Sequence, residues 1–476
     1  MGAGISNWRL AQAVSQQGQL GVVSGTALGH ILVRRLQDGD PGGHMRHGLD
    51  YFPFRTMAER IWQKYFIAGG KPKDASYQVL PMHSKDTPRE LQELCITANF
   101  VEVFLARQGH NNPVGINYLE KIQIPHLPSI YGAMLAGVDY VLMGAGVPLK
   151  IPGVLDCYVN HGPATYPLHV TGAMEGDDTI MSFHPRDFWE QELPALKRPR
   201  FLAIIASNTL ATTLAKKSNG RVDGFILEGP TAGGHNASPR GKLQMNEDGE
   251  PIYGERDAVD LIKLRELGLP FWLAGGYGAP GKLHDALSAG ATGVQIGTAF
   301  AMCVESGLRE DYRLTLFDKV RAGNAKVFTD PLASPTGFPF KTVMLEGTHS
   351  EQEVYNARPR ICDIGMLREA YRTADGAIGF RCPGEPVTVY FSKGGKAEET
   401  IGKKCLCNAL VANIGQNQVR NKKYEEKGLV TAGDDLAGIT RFIANHDRPL
   451  RAADVIEQML LNQPAPRPIP ELAHTN

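Results

Sequence analysis

The segment that most constrains the fold is an apolar run that ends in a glycine-rich turn carrying a histidine, FILEGPTAGGHNASPR at residues 225–240. Two segments of the same design follow it, WLAGGYGAP at residues 272–280 and GVQIGTAF at residues 293–300. In each of them a short β-type run turns into glycine at its C-terminal end. Three such units in series are typical of the last three strands of a β/α barrel, with glycines where the backbone approaches a ligand.

Four further apolar runs precede these, with helical patterns between them. Short apolar runs without alternation, separated by helices, indicate a parallel sheet buried on both faces. The seven predicted strands are residues 22–24, 114–117, 140–143, 201–206, 225–227, 271–274 and 294–296. They predict an α/β fold of the TIM type, a (β/α)8 barrel whose first strand would lie upstream of Met1. The alternative is that another segment, in the C-terminal region, covers that gap.

The barrel is expected to occupy residues 1–320, with long insertions at about residues 38–86 and 150–197. Ser6 is the predicted N-cap of the first helix, at residues 7–17. Long insertions in a compact domain are usually lids or binding elements. Beyond the barrel, proline-rich turns and helical pieces predict a mostly helical C-terminal subdomain at residues 321–476.

Composition excludes several classes of function. Lys+Arg and Asp+Glu each total 50, so the formal net charge is zero, and neither nucleic acid nor an anionic membrane surface is an expected partner. No apolar run reaches the ~20 residues of a membrane helix, and the N-terminus shows no secretory pattern. The cytoplasm is the simplest expected location.

The cysteine spacing does not predict a metal site. Seven cysteines in a chain of this length do not form a disulfide framework, so reduced thiols are expected. A zinc site would use the four thiolates of Cys362, Cys382, Cys405 and Cys407. Their long gaps and C-x-C spacing favour ordinary thiols, with the zinc site as the alternative.

The C-terminal ends of the last three strands predict a binding rim. Adjacent glycines let backbone amides reach anionic oxygens, and a helix that begins near a threonine suits a phosphate. Because the rim after the last two barrel strands is the usual phosphate site, a phosphate-bearing cofactor is expected there. The residues that carry this prediction are Gly233, Gly234, Gly275, Gly276, Gln295, Gly297 and Thr298. His235 is the candidate for proton chemistry.

Other strand ends offer weaker candidates. Asn117 would hydrogen-bond a planar ring through its amide, or it would cap a turn. Gly144 and Gly146 would lie under a flat cofactor, or they would serve turn geometry alone. Glu228 is interpreted as an orienting or structural carboxylate rather than the reactive one.

These motifs give the chain a specific resemblance. It resembles the nitronate monooxygenase family over roughly residues 1–340, on MGAGIS (1–6), GVVSGTA (21–27), GINYLE (115–120), GPTAGGHNA (229–237), WLAGGYG (272–278) and GVQIGTAFA (293–301). The long insertions, YGERD (253–257) and ASPTGFPFK (333–341) are most similar to the branch that includes enoyl reductase subunits of polyunsaturated fatty-acid synthases. The resemblance implies an FMN-dependent β/α barrel, with the rim residues holding the FMN phosphate and Met1, Gly2 and Asn117 against the isoalloxazine. It makes His235 the active-site histidine.

Two activities follow from the resemblance. The first is oxidation of nitronates or nitroalkanes by O2, with His235 as a base or as a cationic partner for the nitronate. The second is an NAD(P)H-dependent reduction of enoyl thioesters or quinones, in which the insertions would form an entrance for an acyl chain or a surface for an acyl-carrier protein. The wider family favours the first, so nitronate oxidation is the expected activity. The branch favours the second, which is the alternative. A flavin-binding partner without activity is a third, weaker alternative.

Overall fold

The computed structural model describes residues 2–189, 191–443 and 449–461, and its centre is one parallel sheet. Seven strands pair in chain order, each with its neighbours in sequence. They are β1 Gly21–Ser24, β2 Val114–Leu119, β3 Tyr140–Gly144, β4 Arg200–Ile205, β5 Gly224–Glu228, β6 Phe271–Ala274 and β7 Gly293–Gln295. All seven predicted strands and the α/β class are confirmed. Within the described residues β1 and β7 form the sheet's edges, and the eighth strand stays a prediction.

Alternate side chains of the strands divide between two environments, as the period of two along a strand requires. Residues on one face, such as Leu142, Leu202 and Ile226, form a cluster inside the curled sheet. Residues on the other face, such as Val141 and Phe225, pack into the main core against the helices. Both faces are buried, which is why the strands read as continuous apolar runs in the sequence.

Helices connect and cover these strands. The longest, α5, packs against α1, α2, α3 and α6 on the outer face of the sheet. Through β7 the helices are α1 Trp8–Gln16, α2 Leu28–Gln37, α3 His44–Asp50, α4 Arg55–Tyr65, α5 Arg89–Ala106, α6 His126–Leu135, α7 Ile151–Val159, α8 Asn208–Lys217, α9 Leu261–Arg265 and α10 Lys282–Ser288. After β7 they are α11 Thr298–Ala301, α12 Glu310–Arg321, α13 Gln352–Asn356, α14 Val387–Ser392, α15 Leu406–Ala412, α16 Thr440–Ile443 and α17 Ala452–Leu460.

The predicted cap of the first helix is wrong by one residue. The N-cap of α1 is Asn7, whose side chain accepts a hydrogen bond from the backbone N–H of Leu10. The Ser6 hydroxyl instead donates to the carbonyl oxygen of Val22 at 2.6 Å, which ties the entry of α1 to β1. Serine and asparagine are both good N-cap residues, and Asn7 is the cap here because the Ser6 hydroxyl is bonded to β1.

The second insertion and the C-terminal region are joined by strand pairing. Residues Val170–Thr171, inside the second insertion, pair in parallel with Glu369–Arg372, which also pairs with Ile378–Arg381. The same insertion contains the hairpin of Ala164–Pro167 with Ile180–Phe183. Two further antiparallel pairs lie in the C-terminal region, Val327–Asp330 with Phe340–Val343 and Val419–Arg420 with Tyr424–Glu425.

The C-terminal region also shares hydrophobic clusters with the barrel. Leu10 and Val14 of α1 pack in one cluster with Phe317, Leu436 and Val455. The division into residues 1–320 and 321–476 stays a prediction. No helix among the described residues is long and apolar enough to cross a membrane.

Candidate active site

The C-terminal ends of the strands open into one large cavity of about 1400 Å³, which continues between the two edge strands to Leu10, Val14 and Leu287 of α1 and α10. This volume exceeds the ~300–1,000 Å³ of ordinary small-molecule pockets. The cavity wall brings together ten of the eleven predicted site residues, Gly2, Asn117, Gly233, Gly234, His235, Gly275, Gly276, Gln295, Gly297 and Thr298. Met1 lies outside the described residues.

The loops after β6 and β7 have the geometry of an anion cradle. Gly275 and Gly276 have φ of 92° and 73°, a region that favours glycine, and a Cβ on Gly275 would stand 2.8 Å from the Thr231 hydroxyl. Gly297 is the N-cap of α11, and a Cβ built on it meets no atom within 4 Å. Open space beside free backbone amides at a helix start fits the phosphate of a flavin.

Two amide side chains in the cavity are free to bind a polar ring. No hydrogen bond joins the side chain of Asn117 or of Gln295 to another of the described residues. Asn117 lies in β2, where it pairs in register with Ser24 of β1, and Gln295 ends β7. Both therefore fit a planar heterocycle that offers ring nitrogens and carbonyl oxygens.

Gly233 is a glycine for a reason that the sequence did not suggest. A Cβ there would stand 2.7 Å from the carbonyl carbon of Ala432 and 2.8 Å from the amide nitrogen of Gly433. The Gly433 amide in turn donates to the Thr298 hydroxyl at 2.9 Å. A C-terminal loop thus closes over the predicted phosphate rim, and Gly233 is where that loop approaches.

Gly144 and Gly146 also have packing reasons. A Cβ on Gly144 would stand 2.7 Å from Cβ of Ile204, and one on Gly146 would stand 1.9 Å from a carboxylate oxygen of Glu120. Both glycines still line the cavity. Close contact with neighbouring side chains is sufficient to require glycine at both positions.

His235 is held by a segment 99 residues further along the chain. Its Nε2 lies 2.7 Å from the Ser334 hydroxyl oxygen, and that oxygen accepts a hydrogen bond from the backbone N–H of Thr336 at 3.2 Å. The ring packs edge-on against Phe340, with centroids 4.9 Å apart. No hydrogen bond joins Nδ1 to another described residue, so this nitrogen is available to a ligand.

Burial determines the charge of the two titratable groups nearest the strand ends. It lowers the pKa of His235 to about 3, so the imidazole is neutral at neutral pH. It raises the pKa of Glu228 to about 7, so this carboxyl is partly protonated there. Glu228 ends β5 and lines the cavity.

Charge is otherwise sparse in the cavity. Among the described residues that line it there is no lysine or arginine, and its carboxylates are Glu228 and Asp435. One wall is apolar and comes from the C-terminal region, with Phe338, Phe340, Leu367, Leu410 and Val411. Sequence reasoning missed this wall and Ser334, although ASPTGFPFK had been singled out as a motif.

The four cysteines do not form a recognisable metal centre. Among the described residues no group of three or more His, Cys, Asp or Glu side chains is arranged to hold a metal ion. Cys382 and Cys405 are buried and all four thiols are free. Burial raises the pKa of Cys362 to about 12, which favours the protonated thiol.

Replacing Ser334 by alanine is expected to lower turnover about 2- to 10-fold. The loss corresponds to one neutral hydrogen bond, worth about 0.5–1.5 kcal/mol, that orients the imidazole. Steady-state kinetics of Ser334→Ala measures this loss of turnover. Ser238→Ala, which replaces an exposed serine three residues after His235, is the control. Equal rates in the two variants would remove Ser334 from the site.

Gly297→Ala and Gly233→Ala are expected to separate cofactor binding from folding. The open space at Gly297 predicts a stability loss of at most about 1 kcal/mol, from the changed helix start, with at least about tenfold weaker flavin binding. At Gly233 the methyl group would collide with the loop, at a cost of roughly 1–3 kcal/mol. Urea unfolding and flavin titration of both variants check this. Flavin binding of Gly297→Ala that equals the wild type would place the phosphate elsewhere.

Comparison with known proteins agrees with the sequence motifs. A model of the nitronate monooxygenase family matches residues 165–323. Nitronate monooxygenase of Pseudomonas aeruginosa is 26% identical over 255 residues, covering 53% of this chain and 64% of that protein. Nitronate monooxygenase of Paraburkholderia phytofirmans is 25% identical over 239 residues, covering 50% and 61%. The matched part thus spans less than two thirds of either relative.

Among solved structures, FabK from Thermotoga maritima superposes with a TM-score of 0.46 at 16% identity, over 96% of this chain and 89% of that one. Nitroalkane oxidase from Streptomyces ansochromogenes gives a TM-score of 0.47 at 15% identity, over 96% and 92%.

Proposed function

We propose that the chain is a flavin-dependent oxidoreductase that binds FMN, because a model of the nitronate monooxygenase family matches residues 165–323. The amide side chains of Asn117 and Gln295 and the cradle at Gly275, Gly276 and Gly297 support a bound flavin mononucleotide. Bound flavin would supply two-electron transfer between a donor and an acceptor, while the protein orients the acceptor and handles its protons.

We further propose that the acceptor is a neutral, apolar conjugated carbonyl compound such as an enoyl thioester, and that the donor is NAD(P)H. The observation that carries this choice is the cavity without lysine or arginine among its described lining residues. A nitronate is an anion, and beyond the glycine amides of the phosphate rim the described residues of the cavity wall offer no lysine or arginine side chain to pair with it, so its burial there is costly. A neutral acyl chain would instead bury its carbon atoms against the apolar wall of Phe338, Leu367 and Leu410.

The chain's own groups suit this acceptor. His235 is neutral, so it meets a carbonyl oxygen as a hydrogen-bond donor rather than as a cation. If the Ser334 hydroxyl donates to Nε2, the proton of the imidazole lies on Nδ1, the nitrogen without a partner. The C-terminal wall is apolar, and a hydrogen bond in such low-dielectric surroundings is stronger than in water. An acyl-carrier protein that presents the acyl chain is part of this proposal.

Nitronate oxidation is the second candidate, and the family match supports it. In that reaction His235 would act as the base that removes a proton from a neutral nitroalkane. A cationic role for His235 finds no support, because burial holds the pKa of the imidazole at about 3.

Anaerobic addition of NADPH or NADH to the flavin-loaded protein tests the choice. Rapid loss of the flavin absorbance, followed by its return on adding a short enoyl thioester, is the expected result. Flavin that stays oxidised with both nicotinamides but is reduced by an alkyl nitronate would overturn the reductase proposal in favour of nitronate oxidation.

A further inference from the structure

Glu228 is placed where a proton donor for the acceptor is needed. It is the last residue of β5, opposite Ala274 of β6, and it lies on the same face as Ile226, which points inside the curled sheet. The chain then turns through Gly229 into the loop that carries His235. Glu228 and His235 therefore reach the same cavity from the two ends of one eight-residue segment.

The carboxyl of Glu228 makes no structural contact of the kind that holds other buried carboxylates among the described residues. No hydrogen bond or ion pair joins its side chain to another residue in the described ranges. Structural carboxylates in this protein behave differently: Glu426 and Asp223, for example, are bound by arginines. A carboxyl group that faces a cavity without such a partner is poised to exchange a proton with a bound molecule.

We propose that Glu228 delivers a proton to the acceptor, while His235 holds the acceptor's carbonyl oxygen. The inference rests on the proposed reduction of a conjugated carbonyl compound. Overall, the nicotinamide is oxidised and supplies a hydride to the β-carbon. Glu228 supplies a proton to the α-carbon. The carbon–carbon π bond breaks, two C–H bonds form, and the carboxylate left on Glu228 regains a proton from solvent.

The rate of this proton transfer depends on pH because only the protonated carboxyl of Glu228 can act as the donor. Burial raises the pKa of Glu228 to about 7, against the opposing positive charge of the amino terminus, so the acid is available below that pH and is lost above it. The rate should be level below about pH 7 and fall tenfold per pH unit above. The other titratable side chains on the cavity wall are His235, His284, Asp435, Cys407 and three tyrosines, Tyr118, Tyr140 and Tyr277. His235 stays neutral through this range, because its pKa is about 3.

Glu228→Gln separates the two halves of the reaction. Flavin reduction by NADPH needs no proton from Glu228 and is expected to keep its rate within about twofold. Reoxidation of the reduced flavin by an enoyl thioester is expected to slow by about 10²–10⁴-fold and to lose its fall above pH 7. Glu228→Asp, which keeps an acid, should recover part of the loss and guards against a folding defect in the glutamine variant.

An infrared titration gives a readout that does not depend on turnover. The carbonyl band of a protonated carboxyl group should disappear near pH 7 in the wild type and be missing in Glu228→Gln. Asp435→Asn, in the same cavity, and Glu266→Gln, on the exposed end of α9, should both retain the band.

The outcomes distinguish the two proposals. A wild-type flavin that no nicotinamide reduces would overturn the proposed function, and with it the role of Glu228 in that reaction. A wild type that turns over, beside a Glu228→Gln variant with unchanged reoxidation and pH profile, would overturn the role of Glu228 alone. A titrating band that survives in Glu228→Gln would assign the proton to another group.

Discussion

Replacing His235 by alanine is expected to lower turnover by about 10²–10⁴-fold while the flavin stays bound. A hydrogen-bonding or proton-transferring imidazole contributes a factor of this size. The rim that would hold the phosphate is built from Gly275, Gly276 and Gly297, which do not depend on the His235 side chain. Flavin absorbance of the purified variant and its steady-state rate are the two measurements.

His169→Ala is the matched control for this prediction. His169 is exposed, lies outside the cavity wall and is held through its backbone N–H, which donates to the Gln123 side chain at 2.8 Å. Its replacement should leave turnover within about twofold, as expected for a surface change. If the two alanine variants turn over equally well, His235 is not a catalytic residue. If His235→Ala loses its flavin, the loss of turnover reports on binding instead.

Sequence reasoning was strongest where one physical rule acts locally. A parallel strand buried on both faces must be an apolar run, so β4, β5 and β6 were recognisable in isolation. The order of glycine turns after β5, β6 and β7 then indicated which side chains share the cavity. His235, Gly276 and Thr298 are brought together for that reason, because parallel strands present the same end to one edge.

Sequence reasoning failed where a contact joins distant segments. Nothing near Gly233 in the chain shows that Gly433 approaches it, and nothing near His235 shows that Ser334 is its partner. The environment of Glu228 was likewise invisible, because its pKa depends on how the whole cavity excludes water. Such properties belong to the tertiary arrangement and have no local pattern.

The C-terminal region depends on a buried ion pair between Arg358 and Glu426. Both side chains are fully buried. Arg358 donates from Nε to Oε1 and from Nη2 to Oε2, the latter at 3.1 Å. Arg420 lies 3.5 Å from Oε2 of the same carboxylate and 3.4 Å from Asp363. The buried guanidinium of Arg358 and the partly buried one of Arg420 therefore share the negative charge of Glu426.

Glu426→Gln is expected to lower the free energy of unfolding by about 3–5 kcal/mol. The amide keeps the shape of the side chain but leaves the charge of Arg358 buried without its counter-ion, and that desolvated charge is the cost. Urea unfolding followed by circular dichroism measures the loss. Glu425→Gln, one residue earlier and exposed, is the matched control and should change stability by less than about 1 kcal/mol.

Removing both charges separates the ion pair from simple packing. Arg358→Met combined with Glu426→Leu should recover most of the stability, because neither side chain then carries a buried charge. Stability of Glu426→Gln equal to that of Glu425→Gln would show that water or another group compensates Arg358. Glu426 also lies a few residues before Ala432 and Gly433, the residues that approach Gly233. The Glu426→Gln variant should therefore release its flavin at a lower urea concentration than the one at which it unfolds. The Glu425→Gln variant should release its flavin and unfold at the same urea concentration.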